Sequence, residues 1–184
     1  MASKWVKIVN AVKESVVLVE TPTKRGTGFV IPPPHGITHQ TVITAYHVID
    51  HALDWKEPIR ITHFPSGKQA LLDVDSRAMN QNPNRDMALI HFSADDLPLP
   101  KSKIEMVPIK NRLNDGVQAA WLGYPAVAPY NLCFFTGHIS TWLEPDEAYL
   151  VDGVAISGVS GGPAFFENEK GKIMILLRPR YTLH

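Results

Sequence analysis

The sequence predicts an all-β fold, an antiparallel barrel or sandwich, on three observations. Fifteen prolines and twelve glycines interrupt 184 residues at short intervals, which argues against long helices. The stretches between them are short and either β-branched or alternating in polarity. About a dozen such stretches follow one another with turn signals between them, as strands joined by hairpins would.

Each element can be justified in chain order. Residues 4–14 are the first exception to strand: Trp5, Ile8, Val9 and Val12 share one helical face. "SVVLVE" (15–20), "GTGFVI" (26–31) and "QTVIT" (40–44) then read as strands. A brief helix is expected at 46–55. "IRITHF" (59–64), "KQALLDV" (68–74) and "DMALIHF" (86–92) complete a first series of six strands. "SADDLPLPKSK" (93–103) is polar and broken by prolines, so it reads as a linker. A second series follows: "EMVPI" (105–109), "VQAAWLG" (117–123), "LCFFTGHIS" (132–140), "AYLVDG" (148–153), "GPAFF" (162–166) and "KIMILL" (172–177). The expected halves are 1–94 and 104–184, with 95–103 between them. No sequence repeat relates the halves.

Composition excludes several classes of partner. Lys plus Arg number 18 and Asp plus Glu number 18, so no single-sign field attracts nucleic acid or an anionic membrane. The apolar runs are too short to span a bilayer. The N-terminal stretch carries charges through its apolar part, unlike a signal peptide. The single cysteine, Cys133, allows no intrachain disulfide; together these features point to a cytoplasmic, reducing setting.

The chemistry concentrates in "ISGVSGGPAFF" (156–166), where glycines and a proline crowd Ser160. "GVSGG" matches the G-x-S-x-G elbow of α/β-hydrolases, in which the acid and the histidine follow the serine. Here the only histidine after Ser160 is the last residue, His184. Two other orders place both partners upstream of the serine: Asp, His, Ser and His, Asp, Ser. His47, in "TAYHVID", begins a helical turn just after a strand. Asp86, in "NRDMALIHF", stands at the entry to an apolar strand, where an acid at the edge of a core could orient an imidazole. Asp73 and Asp75 are rival acids further from such an entry. Asp86 could instead be a cap or turn former.

"GTGFVI", "TAYHVID", "DMALI", "WLGYP" and "GVSGGP", in that order, resemble the trypsin-like serine proteases, most of all their HtrA/Deg-type bacterial branch. The resemblance spans about residues 15–178. It implies two six-stranded antiparallel β-barrels of chymotrypsin-like form with a site between them. It implies a serine endopeptidase with Ser160 as nucleophile, His47 as general base and Asp86 as orienting acid. The backbone N–H groups of Gly158 and Ser160 would form the oxyanion hole. No cofactor is implied, and the partner is a protein or peptide substrate.

Three departures accompany the resemblance. Val159 replaces the aspartate that pairs with a new N-terminus in zymogen-activated members, so activation by that route is not expected. Val154, six residues before Ser160, implies a pocket for a small or medium apolar residue. The family usually continues further past the serine and walls the pocket with a last strand. That strand is therefore expected to be missing here, or supplied by another segment or a completing partner. This keeps a second reading open: a trypsin-fold binding module, silent or partner-activated.

Other features have plainer readings. His47 and His51, like His35 and His39, are four apart, a metal-ligand spacing, but no third ligand completes either pair, so no metal is expected. Cys133 reads as a buried small hydrophobe. Trp5, Trp55, Trp121 and Trp142 read as core or interface, and "KGK" (170–172) as a hairpin turn.

Overall fold

The computed structural model describes residues 4–31, 39–93, 97, 104–107, 111–176 and, by backbone alone, 179–181. The expected linker at 95–103, apart from Leu97, lies outside these residues, as do His35 and His184.

The chain opens with helix α1 (Lys4–Val12). Its apolar stripe is the expected one: Ile8 and Val12 are buried, and Trp5 and Val9 pack on the same cluster. Strands β1 (Val16–Glu20), β2 (Arg25–Ile31), β3 (His39–Thr44), β4 (Ile59–His63), β5 (Lys68–Leu72), β6 (Arg77–Asn82) and β7 (Met87–Ser93) form the first sheet. Its order is β5-β4-β1-β2-β3-β7-β6, antiparallel throughout. Helix α2 (Tyr46–Asp54) leaves the end of β3 and buries Val48, Ile49 and Ala52.

The second sheet comprises β8 (Glu105–Met106), β9 (Gln118–Gly123), β10 (Cys133–Leu143), β11 (Ala148–Asp152), β12 (Ala164–Glu167), β13 (Ile173–Leu176) and β14 (Pro179–Tyr181). Its order is β14-β11-β10-β9-β12-β13-β8. The all-β expectation holds, with two curled sheets in a chymotrypsin-like arrangement.

The detail differs from six antiparallel strands per half. Each sheet has seven strands, and two pairings at the edges of the second, β11–β14 and β13–β8, are parallel. The added strands are β6 and β14. β6 reads "RAMNQN", with too few apolar residues to announce itself, and is held by its backbone ladder to β7. β14 begins with a proline, tolerated because it lies on an edge strand. It pairs in parallel with β11 at one edge of the second sheet.

β1 shows how the core forms. Successive strand side chains point to opposite faces. Val17 and Val19 therefore enter the core of the first sheet, while Val16 and Leu18 enter a second cluster. That second cluster also holds Phe29 and Ile43 from the first sheet and Ala120, Leu122, Phe165 and Ile175 from the second. It is the seam between the sheets. Each aliphatic side chain buried there contributes roughly 1.5–3 kcal/mol. Leu97, within the expected linker, is itself buried in the first core, and its carbonyl accepts a hydrogen bond from Gln40.

One smaller expectation needs correction. Cys133 is half-buried, because it starts β10 where the strand emerges from a loop. Trp55, expected in a core or an interface, lies outside any core: it is 71% exposed and stacks on His51 just past the end of α2. "KGK" is the hairpin turn between β12 and β13: Asn168 Oδ1 accepts the Lys170 and Lys172 N–H groups, and Gly171 takes a φ of 72°.

Candidate active site

His47 is the second residue of α2, so its backbone N–H is among the donors a helix start leaves unpaired. Ala45, at the cap position, has no side chain to accept it. Asp86 does so from outside the helix: its Oδ1 accepts the His47 N–H at 2.9 Å. Its Oδ2 takes the His47 Nδ1 hydrogen bond at 2.7 Å. Two parallel bonds fix the imidazole on the helix and leave Nε2 turned away from the acid.

Asp86 reaches this position by a strained turn. It closes the short 3₁₀ segment Pro83–Arg85 with φ 47° and ψ 46°, and its N–H bonds the Pro83 carbonyl. Short polar residues such as aspartate tolerate this left-handed region better than most. Asp86 is thus a turn former and a helix cap as well as the partner of His47. The His47 and Asp86 side chains are 53% and 51% exposed, so the pair stands half in water. Among the described residues, Asp73 and Asp75 make no bond to His47; Asp73 precedes, and Asp75 lies within, an exposed 3₁₀ turn elsewhere.

The hydrogen bond from His47 Nδ1 to the Asp86 carboxylate raises the His47 pKa above 6.5, against partial burial and the positive charge of Lys24. Burial pushes Asp86 upward, but the two bonds from His47 outweigh it, and its pKa falls below 3.8. Lys24 is a residue the sequence did not flag. Its ammonium donates to the His47 carbonyl at 2.8 Å and to Asp50 Oδ1 at 2.6 Å. The turn that carries it is closed by Thr21, which bonds the Lys24 N–H and carbonyl. The first turn of α2 is thereby clamped from both sides.

Ser160 sits on the loop between β11 and β12, pressed against the same end of the first sheet. Its carbonyl accepts the Thr27 N–H at 2.8 Å. A Cβ on Gly161 would stand 2.6 Å from the nitrogen of Ala45, two residues before His47. Gly161 has φ 84° and Gly158 φ 95°, angles that favour glycine. Among the described residues, no hydrogen bond joins the Ser160 hydroxyl to His47.

Two carbonyl bonds orient the Gly158 and Ser160 amides of this loop. In a trans peptide the carbonyl and the following N–H point to opposite sides. The Ser157 carbonyl accepts the Ala126 N–H at 2.6 Å, which turns the Gly158 N–H the other way. The Val159 carbonyl accepts the Gly162 N–H at 2.9 Å, which does the same for Ser160. Among the described residues, neither of these two N–H groups has an acceptor. The loop therefore presents two unclaimed donors two residues apart. A cleft of about 340 Å³, lined by residues 20–25, Ala126, Ser157 and Gly158, adjoins them.

The family model for the trypsin-like peptidase domain matches residues 26–174. The chain belongs to that family. Its members' fold recurs in solved structures: Deg5 superposes with a TM-score of 0.69 at 20% identity, covering 88% of this chain and 78% of that one. The serine endoprotease from Yersinia pestis gives 0.69 at 19% identity, covering 94% of this chain and 56% of its own. These neighbours are HtrA/Deg-type, the branch the motifs resemble. No curated protein matches the sequence. Family and neighbours together support a protease, a hydrolase of peptide bonds.

The remaining expected residues fall as follows. Val159 is buried against Gly123 and has no ion partner to offer. Val154 follows β11 and is 53% exposed. His51 Nδ1 pairs with Glu57 rather than sharing a ligand with His47. Among the described residues, no three metal-ligating side chains gather, and no helix is long and apolar enough to cross a membrane. Sequence reasoning missed Thr27, buried inside "GTG". The bracketing glycines were its only signal: a Cβ on Gly26 would meet Val48 and stand 3.1 Å from the Ser160 carbonyl.

Proposed function

We propose that the protein is a serine endopeptidase acting through His47, Asp86 and Ser160. The observation that carries this is the His47–Asp86 pair standing beside the Ser160 loop. A serine hydroxyl is a weak nucleophile and needs a base to take its proton. His47 Nε2 accepts that proton as the oxygen attacks a peptide carbonyl. Asp86 holds the imidazole and stabilises its cation. The Gly158 and Ser160 N–H groups receive the negative charge that forms on the carbonyl oxygen. His47 then protonates the leaving amine, and water hydrolyses the acyl-enzyme by the same route. No cofactor enters. A small or medium apolar residue before the scissile bond is the substrate preference proposed from Val154, whose side chain is exposed.

The missing bond between the Ser160 hydroxyl and His47 favours a second reading, a silent module or one completed by a protein partner. Catalytic hydrogen bonds in unliganded sites often tighten only when substrate binds. A fluorophosphonate probe separates the readings. Labelling of the wild type that vanishes in Ser160→Ala and His47→Ala supports the peptidase. A folded but unlabelled wild type rejects it in favour of the module, and labelling only with a partner present identifies partner activation.

A further inference from the structure

We propose that Thr27 is the positioning residue for the oxyanion donors. This rests on the reading of Gly158 and Ser160 as those donors. Thr27 lies on β2 in the first half, with no exposed surface. Its hydroxyl donates to the Gly158 carbonyl at 2.7 Å and accepts the Tyr124 N–H at 2.9 Å. Its own N–H donates to the Ser160 carbonyl at 2.8 Å. Its carbonyl is held by the Thr44 hydroxyl at 2.7 Å. One buried residue therefore grips the carbonyls on both sides of Val159.

The grip has a geometric consequence. Gly158 and Gly161 are conformationally permissive and do not hold their own angles. Among the described residues, the Thr27 hydroxyl is the only side chain that bonds residues 157–161. If it lets go, the Gly158–Val159 peptide keeps one bond, from the Val159 N–H to the Ile156 carbonyl at 3.1 Å. The Gly158 N–H lies in the preceding peptide, so its aim is then left to the Ser157–Ala126 bond, without the brace on the far side of its Cα. Thr27 touches no reacting atom. It acts by bracing the two peptide planes that flank those carrying the donors, each sharing a Cα with a donor's plane, and a preorganised donor is effective because it need not reorient during reaction.

The test uses Thr27→Val, which keeps the branched shape but removes the hydroxyl, and Thr27→Ser, which keeps the hydroxyl and drops the methyl. Thr27→Val should lower kcat on a peptide substrate about 100-fold, the scale of losing one oxyanion donor, with KM changed little. Its affinity for a peptide boronate, which mimics the tetrahedral state, should fall in parallel. Thr27→Ser should restore most of both. A Thr27→Val protein that is less stable but keeps wild-type kcat and boronate affinity per folded molecule would overturn the proposal. If valine does not fold, Thr27→Cys, with a weak donor of similar size, should show a smaller loss in the same assays; wild-type values would again overturn it. Amide NMR provides a readout independent of turnover. The Gly158 and Ser160 N–H resonances should move in Thr27→Val and return in Thr27→Ser. If the wild type neither turns over peptides nor binds boronate, the peptidase reading fails, while those resonances still decide whether Thr27 sets the loop.

Discussion

His47 and Asp86, from the first half, meet at half-exposed positions through a charged hydrogen bond, with Lys24 clamping the helix behind them. The 157–161 loop of the second half carries no charge. Backbone bonds, one buried hydroxyl and glycines with no room for a Cβ hold it in place. The first arrangement is electrostatic, so it responds to pH and salt. The second is steric and hydrogen-bonded, so it either fits or fails. The site thus combines a tunable base with a fixed frame.

The largest way to break this comparison acts on the charged side. Asp86→Asn should lower turnover about 10⁴-fold by favouring the wrong imidazole tautomer. It should cost little stability, on the order of 1 kcal/mol, because the pair is half in water. Kinetics beside a denaturant melt would check both. The pH dependence has a definite sign. Asp86 is depressed below 3.8, so its contribution is present above that value and lost as pH falls through its folded pKa. His47 is raised above 6.5, so its contribution is present below 6.5 and lost as pH climbs through its folded pKa. The stability gap between wild type and Asp86→Asn should therefore be widest between about pH 4 and 6.5.

A substitution on the steric side should invert that profile. Gly161→Ala places a methyl against the Thr27 carbonyl at φ 84°, and should cost roughly 2 kcal/mol or more in stability with no pH signature. Gly67→Ala sharpens the contrast. Gly67 has φ 69° but nothing within 4 Å of its would-be Cβ, so only backbone strain of about 1 kcal/mol is expected. Equal losses at the two glycines in parallel melts would show that the loop is not sterically fixed.

The smallest expected effect is at Lys24. Removing its positive charge in Lys24→Met should raise the His47 pKa further and move the acid limb of kcat/KM to higher pH, because the base works only when neutral. The rate change near neutrality should be under about tenfold and shrink in high salt. A pH–rate profile at two ionic strengths would check it. Fidelity of the clamp's hydrogen bond, rather than charge, would be indicated by a loss that salt leaves unchanged.

The strands that alternate or run apolar, such as β1 and β7, were legible because burial writes itself into side-chain pattern. β6 was not, since its contribution is a backbone ladder and its side chains are mostly polar. The same division runs through the site. His47, Asp86 and Ser160 stood out by residue type and order. Thr27 and Lys24 did not, because their roles arise from contacts across long stretches of chain that no local spacing records. The half-exposure of Asp86 follows from its turn, which lifts it away from the apolar strand it precedes.

The seam between the sheets carries a further consequence. The serine belongs to one half, while the clasp on its loop belongs to the other. On the peptidase reading, a molecule that parts along that seam disarms itself before it can cut its neighbours. Damage or partial unfolding would yield an inert chain instead of a stray protease, a safeguard that needs no inhibitor.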